Sequence, residues 1–474
     1  MIKFGTGGWR AVIAEDFTFD NVRRVAYAIT QMMGFLDRRV VIGYDRRFLS
    51  ENFARTAAEV VSAYDVTSYF VNYACPTPMI MFTVKHLNTP FGLIITASHN
   101  PAIYNGIKVI TKGGKDADTD ITSEVERISN AIEAKEIRKT AFSSAVSTGK
   151  IKLINPFNDY VDALISRIDI ERIKRKNLRI LIDPMFGVSR TTLQAVLITA
   201  RCVVDTINTR RDTLFGGKLP SPSAKTLSSL KNAVIDGGYD LGIATDGDAD
   251  RLGIIDDKGD FVHPNEIMAL LYYYLLKYKG WEGGVVRNLC TTHLLDRIAA
   301  DFEQSVYEVP VGFKYVSSKM VEKNALLGGE SSGGLTIRGH IPGKDGIFAA
   351  ALVVEMISRI GKHISEILNE MHAVYGKLYF SELDIRLGKV RDKEGLREII
   401  YLKHEHPFGE DEIENEVYID GLKLNFRDGG WLCIRLSGTE PLVRIVAESS
   451  SKDLTEARIE KMEKFVISRV NRFE

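Results

Sequence analysis

The sequence predicts an α/β protein in which mostly parallel sheets are covered by helices. In the first third of the chain, short apolar runs alternate with amphipathic stretches, which is the pattern of strands joined by helices. The composition is typical of globular proteins, with 45% hydrophobic and 26% charged residues. The 474 residues exceed what one hydrophobic core accommodates, and this length indicates about three or four domains.

The first elements follow from the period of their apolar residues. Val40–Gly43 is typical of a buried strand, and residues 51–64 carry apolar side chains at helical spacing. The pattern then predicts a strand over 66–71, a Cys-Pro-Thr-Pro turn, a helix over 79–86 and a strand over 91–95. Such alternation favours parallel strands with helical connections.

Later segments carry fewer clear elements. A polar helical stretch over 121–139 runs into the weakly patterned AFSSAVSTGK, where we expect the first domain to end. A helix is predicted over 265–278, with its N-cap near Asn265. The last part predicts strands over 422–426, 431–436 and 443–447, followed by a charged helix from Leu454.

Charge, cysteines and missing motifs exclude several classes of protein. The 62 basic and 62 acidic residues cancel, so no overall field favours nucleic acid or an acidic membrane. The four cysteines are far apart, which argues against a disulfide framework or a zinc module. No run is apolar enough to span a bilayer and the N-terminus lacks a secretory pattern, so we expect a cytoplasmic protein. Neither a Walker A motif nor G-x-G-x-x-G is present.

Four apolar strands run into polar loops of similar character: ITASHNP, IATDGDAD, LLGGESSGG and IRLSGTEP. In α/β sheets, ligands bind beyond the carboxyl ends of the strands. We therefore expect these four loops to build one cleft together.

The second loop carries three alternating carboxylates, Asp246, Asp248 and Asp250. Such a cluster repels itself unless a hard cation binds, and oxygen ligands suit Mg²⁺ or Ca²⁺. An EF-hand is excluded, because Arg251 stands where its loop needs glycine and Asp257 where it needs glutamate. A solvated acidic turn is the simpler alternative, but the triplet directly follows an apolar strand, which favours a metal site.

The remaining loops suit anions and hydroxyl groups. RLSGTEP combines Arg435 with a glycine and two hydroxyl residues, which suits phosphate, although a plain turn between strands is the alternative. The third loop formally matches the G-x-S-x-G nucleophile elbow at Ser331, but glycines and a proline follow where that motif requires a helix. Its Glu330 and Ser332 are better suited to hydrogen bonds with sugar hydroxyls.

Taken in order, TASHNP, DGDADR, GESSG and RLSGTEP resemble the motifs of the α-D-phosphohexomutase superfamily, in its phosphoglucomutase/phosphomannomutase branch. The resemblance extends over essentially the whole chain. It implies four domains around a central cleft, of which three are related α/β domains with mixed sheets and the last is a smaller α+β domain. We expect them at residues 1–146, 147–258, 259–378 and 379–474.

The resemblance also implies roles for individual residues. Ser98 matches the serine that carries the phosphoryl group and completes a Mg²⁺ shell with Asp246, Asp248 and Asp250. The other catalytic positions match Arg10, His99, Lys108 and His340, with Lys108 or His340 as the candidate base. The substrate-binding positions match Arg251, Glu330, Ser332, Lys344, Arg435, Ser437, Gly438 and Thr439.

The implied activity is the interconversion of α-D-hexose 1-phosphate and hexose 6-phosphate through phospho-Ser98 and a hexose 1,6-bisphosphate, which is also the activator. Glucose and mannose both stay open, since Val311 stands where some glucose-specific members have threonine. Phosphoglucosamine mutase is an alternative, although Ser331 replaces the glutamine of that specificity. A metal-dependent phosphatase or serine hydrolase using Ser98 or Ser331, and a non-catalytic sugar-phosphate sensor, are further alternatives.

The expected partner is a small sugar phosphate, with neither nucleic acid nor membrane, and we expect a monomer or a homodimer. The C-terminal domain is expected to swing on a hinge around Gly376–Leu387 as substrate enters and leaves.

Overall fold

The computed structural model of the protein describes residues 1–34, 37–387, 390–437 and 442–470. Within these ranges the strands form four sheets, each built from a consecutive part of the chain. Three sheets are mixed and the last is antiparallel, which confirms the predicted α/β architecture with a C-terminal α+β unit.

The first sheet has the strand order β1-β5-β4-β2-β3-β7, with β6 beside β5. Its strands are β1 (Trp9–Val12), β2 (Arg39–Tyr44), β3 (Thr67–Val71), β4 (Phe91–Ile95), β5 (Tyr104–Thr111), β6 (Lys115–Asp116) and β7 (Ile151–Ile154). Its helices are α1 (Phe19–Met32), α2 (Ser50–Ala63), α3 (Thr77–His86), α4 (Thr119–Ala131) and α5 (Phe142–Ser147). The elements predicted between residues 40 and 95 are confirmed, with small shifts at their ends.

The end of this unit differs from the prediction. Helix α4 stops at Ala131, well short of residue 139, because the chain turns to bury Ile137 against the first sheet. The weakly patterned stretch that follows is a helix whose Ala145 is buried in the same core. Strand β7 then pairs in parallel with β3, so the first sheet continues past residue 146.

The second sheet has the order β12-β11-β10-β8-β9. Its strands are β8 (Arg179–Asp183), β9 (Val203–Thr206), β10 (Leu241–Thr245), β11 (Leu252–Ile255) and β12 (Phe261–Val262). The helices of this part are α6 (Phe157–Ile165), α7 (Ile170–Lys174), α8 (Arg190–Thr199) and α9 (Ser228–Gly237).

The third sheet has the order β14-β13-β15-β16. Its strands are β13 (Val285–Asn288), β14 (Val306–Val309), β15 (Leu327–Gly329) and β16 (Leu335–Ile337). Its helices are α10 (Pro264–Lys277), α11 (Leu294–Asp301), α12 (Phe313–Lys323), α13 (Gly346–Ile360) and α14 (Ile364–Tyr375). The N-cap of α10 is His263 and not Asn265, because Pro264 suits the first helical position and Glu266 completes a capping box with His263.

The fourth sheet is antiparallel, in the order β17-β21-β20-β19-β18. Its strands are β17 (Tyr379–Arg386), β18 (Ile413–Val417), β19 (Leu422–Phe426), β20 (Trp431–Leu436) and β21 (Leu442–Ser449), and α15 (Val390–Arg397) and α16 (Lys452–Val470) accompany them. Because β17 pairs with β21 along its whole length, a hinge over 376–387 is too long. Only residues 376–378 connect α14 to this sheet.

The buried apolar residues include one large cluster shared by the first three units and a smaller, separate cluster in the C-terminal unit. One continuous cluster contains residues of the first three units and includes most of α13. The C-terminal unit has its own cluster, and a small group around Trp431 and Cys433 packs it against Leu289 and Cys290 of the third unit. Within the described ranges, no helix is both long enough and apolar enough to cross a membrane.

Candidate active site

The four polar loops occupy equivalent places in their sheets. Each one joins a strand to its antiparallel neighbour, namely β4 to β5, β10 to β11, β15 to β16, and β20 to β21. The strand before each loop ends with buried or half-buried residues, so the polar side chains begin where the sheet ends. This repeated connection gives the four loops the same position relative to their own sheets.

Ser98 is fully buried and contacts the acidic loop of the second sheet. Its Oγ donates a hydrogen bond to Asp246 Oδ2 at 2.6 Å. Its backbone is left-handed, with φ of 51°, an uncommon conformation for serine that the N–H bond to Thr96 Oγ1 helps to hold. The Nδ1 atom of His99 lies 3.4 Å from the same Oγ. The turn therefore directs the Ser98 hydroxyl at the carboxylate cluster.

The close approach of these two loops depends on Gly247. A Cβ atom at this position would lie 2.7 Å from the carbonyl oxygen of Ser98, which is closer than side chains tolerate. Glycine between the first two aspartates therefore lets the acidic loop pack directly on the serine loop.

Two lysines from other units pair with Asp248 and Asp250 of the acidic triplet. Lys108 Nζ on β5 donates to Asp248 Oδ2 and Asp250 Oδ2 at 2.6 Å each, and Lys344 Nζ lies 3.1 Å from Asp250 Oδ2. Burial by itself lowers the pKa of Lys108, but these carboxylates raise it above its usual value, so the amine stays charged. Burial raises the pKa of Asp246, and the other two aspartates raise it further.

The triplet fits a hard divalent cation. One oxygen from each carboxylate lies within 4.8 Å of the others. Asp248 Oδ1 and Asp250 Oδ1 are buried and have no hydrogen-bond partner among the residues that the structure describes. Unpartnered buried carboxylate oxygens are costly, and coordination to a cation such as Mg²⁺ satisfies them.

Two arginines lie beside this cluster. Arg10 on β1 donates to Asn100 Oδ1 at 2.6 Å, just after the Ser98 turn. The backbone N–H of Arg251 donates to Asp246 Oδ1 at 3.1 Å, and its buried Nε lacks a hydrogen-bond partner in the described ranges. The side chain of Arg10 is thus held at the Ser98 turn, whereas Arg251 is held at the acidic loop by its backbone.

The loop of the third sheet presents Glu330. Its Oε1 accepts hydrogen bonds from Asn288 Nδ2 at 2.9 Å and from the backbone N–H of Gly312 at 3.0 Å. Ser331 and Ser332 follow in the turn, half-buried, and the chain continues into strand β16. A nucleophile elbow needs a helix after its serine, so the G-x-S-x-G match at Ser331 does not form that motif.

The loop of the fourth sheet places Arg435 at the end of β20. Its Nη2 lies 2.8 Å from Asp420 Oδ2, and its Nε is buried without a hydrogen-bond partner among the described residues. Arg444 lies directly opposite on β21, where Asp384 and Glu382 hold it. Acidic partners thus offset the repulsion that two cross-strand arginines otherwise cause.

The other predicted residues of this loop are only partly covered by the structure. The backbone N–H of Ser437 donates to the carbonyl oxygen of Leu442 at 2.8 Å, which closes the connection between β20 and β21. Gly438 and Thr439 lie outside the described residues.

His340 has a different environment from the one predicted for a catalytic base. Its Nε2 lies 2.7 Å from Asp345 Oδ2, and its ring stacks on Phe348 with the ring centroids 4.2 Å apart. Asp345 caps helix α13 and also accepts a hydrogen bond from Tyr160 at 2.6 Å. The ring is therefore engaged in supporting α13, and among the described contacts none joins it to Ser98.

The sequence pattern did not single out Arg47, which holds the serine loop. This side chain is 0% exposed and donates to four backbone carbonyls, those of Ser98, Asn100, Pro101 and Tyr104, at 2.6–3.1 Å. A signal for this role is present in the sequence as the charged run Asp45-Arg46-Arg47. Like the four polar loops, this run directly follows an apolar strand, here β2.

The family models for the four domains of phosphoglucomutase/phosphomannomutase match the chain in order. The alpha/beta/alpha domains I, II and III match residues 1–136, 158–259 and 263–375, and the C-terminal domain matches residues 388–464.

Whole-chain relatives carry more than one name. The chain is 30% identical to a "phosphoglucomutase/phosphomannomutase" of Thermococcus kodakarensis, with 95% of each chain covered. It is 32% identical to a "probable phosphoglucosamine mutase" of Pyrococcus abyssi, covering 98% of this chain and 97% of the relative. A solved structure from Thermus thermophilus, assigned as a phosphomannomutase, superposes with a TM-score of 0.86 at 28% identity, covering 98% of this chain and 99% of the other.

Because Arg47 holds the serine loop by hydrogen bonds to four carbonyls, we predict that Arg47→Lys makes this loop more mobile. An ammonium group lacks the planar fork that reaches four carbonyls, so residues 98–104 should open more often. We expect their amides to exchange about tenfold faster in hydrogen–deuterium exchange mass spectrometry, the effect of losing about 1.4 kcal/mol of local stability.

The matched control is Arg55→Lys, which alters an exposed pair with Glu51 on α2. That variant should leave exchange over 98–104 at the wild-type rate. Equal exchange in wild type and Arg47→Lys would show that Arg47 does not hold this loop.

Proposed function

The chain belongs to the phosphoglucomutase/phosphomannomutase family of the α-D-phosphohexomutase superfamily and is an isomerase, an intramolecular phosphotransferase. On this premise we propose that it interconverts the 1-phosphate and 6-phosphate of an α-D-hexose, with Ser98 as phosphoryl carrier. The observation that carries the proposal is the 2.6 Å contact of Ser98 Oγ with Asp246, within a carboxylate cluster that fits a divalent cation.

In the proposed reaction the chain starts with a phosphorylated Ser98. The bond between Oγ and phosphorus breaks as phosphorus bonds to the free hydroxyl oxygen of a hexose 1-phosphate, and the product is a hexose 1,6-bisphosphate. The bisphosphate turns over in the cleft, Ser98 Oγ takes the other phosphoryl group, and hexose 6-phosphate leaves. Serine is only a carrier here, so a Ser-His-Asp triad is not required.

Charge neutralisation is the main task of the surrounding side chains. Lys108 and Lys344 stand at the carboxylate cluster, with Arg10 beside it, where negative charge accumulates on the transferring group. Mg²⁺, held by the three aspartates and the phosphoserine, supplies further charge stabilisation when bound.

The sugar hydroxyl loses a proton on attack and Ser98 Oγ gains one when its bond to phosphorus breaks, so the carrier needs a neighbouring group that both accepts and donates a proton. Lys108 is a poor choice because Asp248 and Asp250 keep its amine protonated, and His340 is bonded to Asp345. His99 is better placed, since its Nδ1 lies 3.4 Å from Ser98 Oγ. We therefore give His99 the acid–base role at the carrier and Lys108 an electrostatic one.

Substrate recognition falls to the third and fourth loops. Glu330 and Ser332 are proposed to bind sugar hydroxyls, and Arg435 with Ser437, Gly438 and Thr439 to bind the phosphate that is not transferred. Arg251 and Lys344, between the clusters, are further contacts to the substrate. Glucose and mannose phosphates are the proposed substrates, and glucosamine phosphate is the second candidate because a 32% identical relative carries that name.

We also propose a cytoplasmic location and action as a monomer or homodimer. All four cysteines are buried free thiols, as is usual in reducing compartments.

The deciding experiment is a coupled assay with Mg²⁺ and a trace of hexose 1,6-bisphosphate. Glucose 1-phosphate, mannose 1-phosphate and glucosamine 1-phosphate are compared, and each 6-phosphate product is followed. The proposal expects glucose or mannose phosphate to give the highest kcat/KM. Preference for glucosamine phosphate would favour the second candidate, and release of inorganic phosphate without isomerisation would indicate a phosphatase.

Ser98→Ala should abolish turnover because the phosphoryl carrier is gone, while hexose phosphate still binds in isothermal titration calorimetry. Ser331→Ala is the matched control, and it should retain turnover. Undiminished activity of Ser98→Ala would exclude the carrier role, and loss of activity in Ser331→Ala alone would favour the hydrolase alternative.

Removal of divalent cations should also stop turnover. After treatment with EDTA we expect activity below about 1% of the starting value, because three buried carboxylates then face the transferring phosphoryl group. Added Mg²⁺ should restore the wild type but not Asp248→Asn at the same concentration. Full activity in EDTA would contradict the assignment of the triplet as a cation site.

A further inference from the structure

We propose that Asp420 is a positioning residue that couples the phosphate-binding arginine of the C-terminal unit to the sugar-binding loop of the third unit. The inference rests on the proposed function, since it assumes that Arg435 receives a phosphate and Glu330 a sugar. Asp420 itself lies in the turn between β18 and β19, outside all four polar loops.

One oxygen of Asp420 joins the two units. Its Oδ2 accepts the backbone N–H of Val311, at 2.9 Å, and lies 2.8 Å from Arg435 Nη2. Val311 follows β14 in the third unit, whereas Asp420 and Arg435 belong to the fourth sheet. The carboxylate is therefore shared between a cation of its own unit and a backbone amide of the neighbouring unit.

The next amide along the chain continues the connection. The N–H of Gly312 donates to Glu330 Oε1 at 3.0 Å, and Glu330 is further fixed by Asn288. Two consecutive amides of one short loop thus bind two acids, Asp420 and Glu330. A path of direct contacts runs from Arg435 to the proposed sugar contact.

The turn that carries Asp420 is pressed against Arg435. Gly421 has φ of 101°, and a Cβ atom there would lie 2.8 Å from Arg435 Cγ and 2.5 Å from the carbonyl oxygen of Ile434. A glycine is required for this approach, and it keeps Asp420 beside the arginine. The position of the carboxylate is therefore set by the backbone.

The charge of Asp420 opposes phosphate binding, whereas its hydrogen bond to Val311 helps to orient the sugar. The side chains of Asp420 and Arg435 are 31% and 17% exposed, so solvent screens their attraction, and an acid beside the arginine repels phosphate. Removing Asp420 should therefore not weaken phosphate binding. Loss of the bond to Val311 instead releases the loop that orients Glu330, so the sugar is held but misaligned.

The experiment compares two variants of this residue. Asp420→Ala removes both contacts, whereas Asp420→Asn keeps an oxygen that accepts the Val311 N–H. With the preferred hexose 1-phosphate, we expect Asp420→Ala to lower kcat about tenfold or more, with KM unchanged or lower. Asp420→Asn should retain most of the wild-type kcat, because the link to the loop survives.

Asp428→Asn is the matched control. Asp428 lies 2.8 Å from Arg458 within the same unit, so its loss tests the general effect of removing an ion pair there. It should leave both kcat and KM at wild-type values. Thermal unfolding of all variants identifies any that fail to fold. If Asp420→Ala fails to fold, Asp420→Asn is measured alone, and a kcat about tenfold below wild type in that variant overturns the inference.

The possible results separate the coupling from its alternatives. A wild-type kcat in Asp420→Ala would overturn the inference, and so would a raised KM at constant kcat, since that indicates an effect on phosphate binding alone. An equal fall of kcat in Asp420→Ala and Asp420→Asn would also overturn it. If wild type itself converts none of the sugar phosphates, the proposed function fails instead.

Discussion

The mutual repulsion of Asp246, Asp248 and Asp250 is the constraint on which the rest of the site depends. These carboxylates are buried where water cannot screen them, so their charge must be met by cations from elsewhere. Lys108 comes from the first unit and Lys344 from the third. The acidic loop therefore gains both lysine partners only when the three units are assembled, and assembly also brings Ser98 to Asp246.

The unequal division of the core suits this arrangement. The first three units share one apolar cluster, which keeps Ser98, the acidic triplet and Lys344 in fixed relation. The C-terminal unit has a separate core and reaches the third unit through a small apolar group and a few polar contacts. In the proposed reaction, phospho-Ser98 therefore lies in the three units that share one core. The loop that binds the second phosphate lies in the C-terminal unit, which separates more easily.

Sequence reasoning succeeded where the signal is local. Strands such as β4 and the loops that follow them are visible as apolar runs that end in polar residues, and the order of motifs identified the family. It failed where distant contacts decide the outcome. The end of α4 at Ala131 and the attachment of β7 to the first sheet follow from packing. The roles of Arg47 and Asp420 could not be assigned from the sequence either, because both side chains bind backbone atoms that are distant in sequence or in another unit.

A mutase that returns a bisphosphate in reversed orientation has an unusual recognition problem. The same phosphate-binding loop must accept either phosphate, and the same phosphoserine must transfer its phosphoryl group to either hydroxyl. Neither of them can therefore discriminate between sugars. In the proposed reaction, discrimination then falls to the contacts between them, for which Glu330 and Ser332 are proposed, with Glu330 oriented by the loop at Val311 and Gly312. These contacts must hold the ring in both orientations at one distance from Ser98. Asp420 and Glu330 both accept hydrogen bonds from the backbone of the loop at Val311 and Gly312. In the proposed reaction, Glu330 therefore keeps one position in both half-reactions.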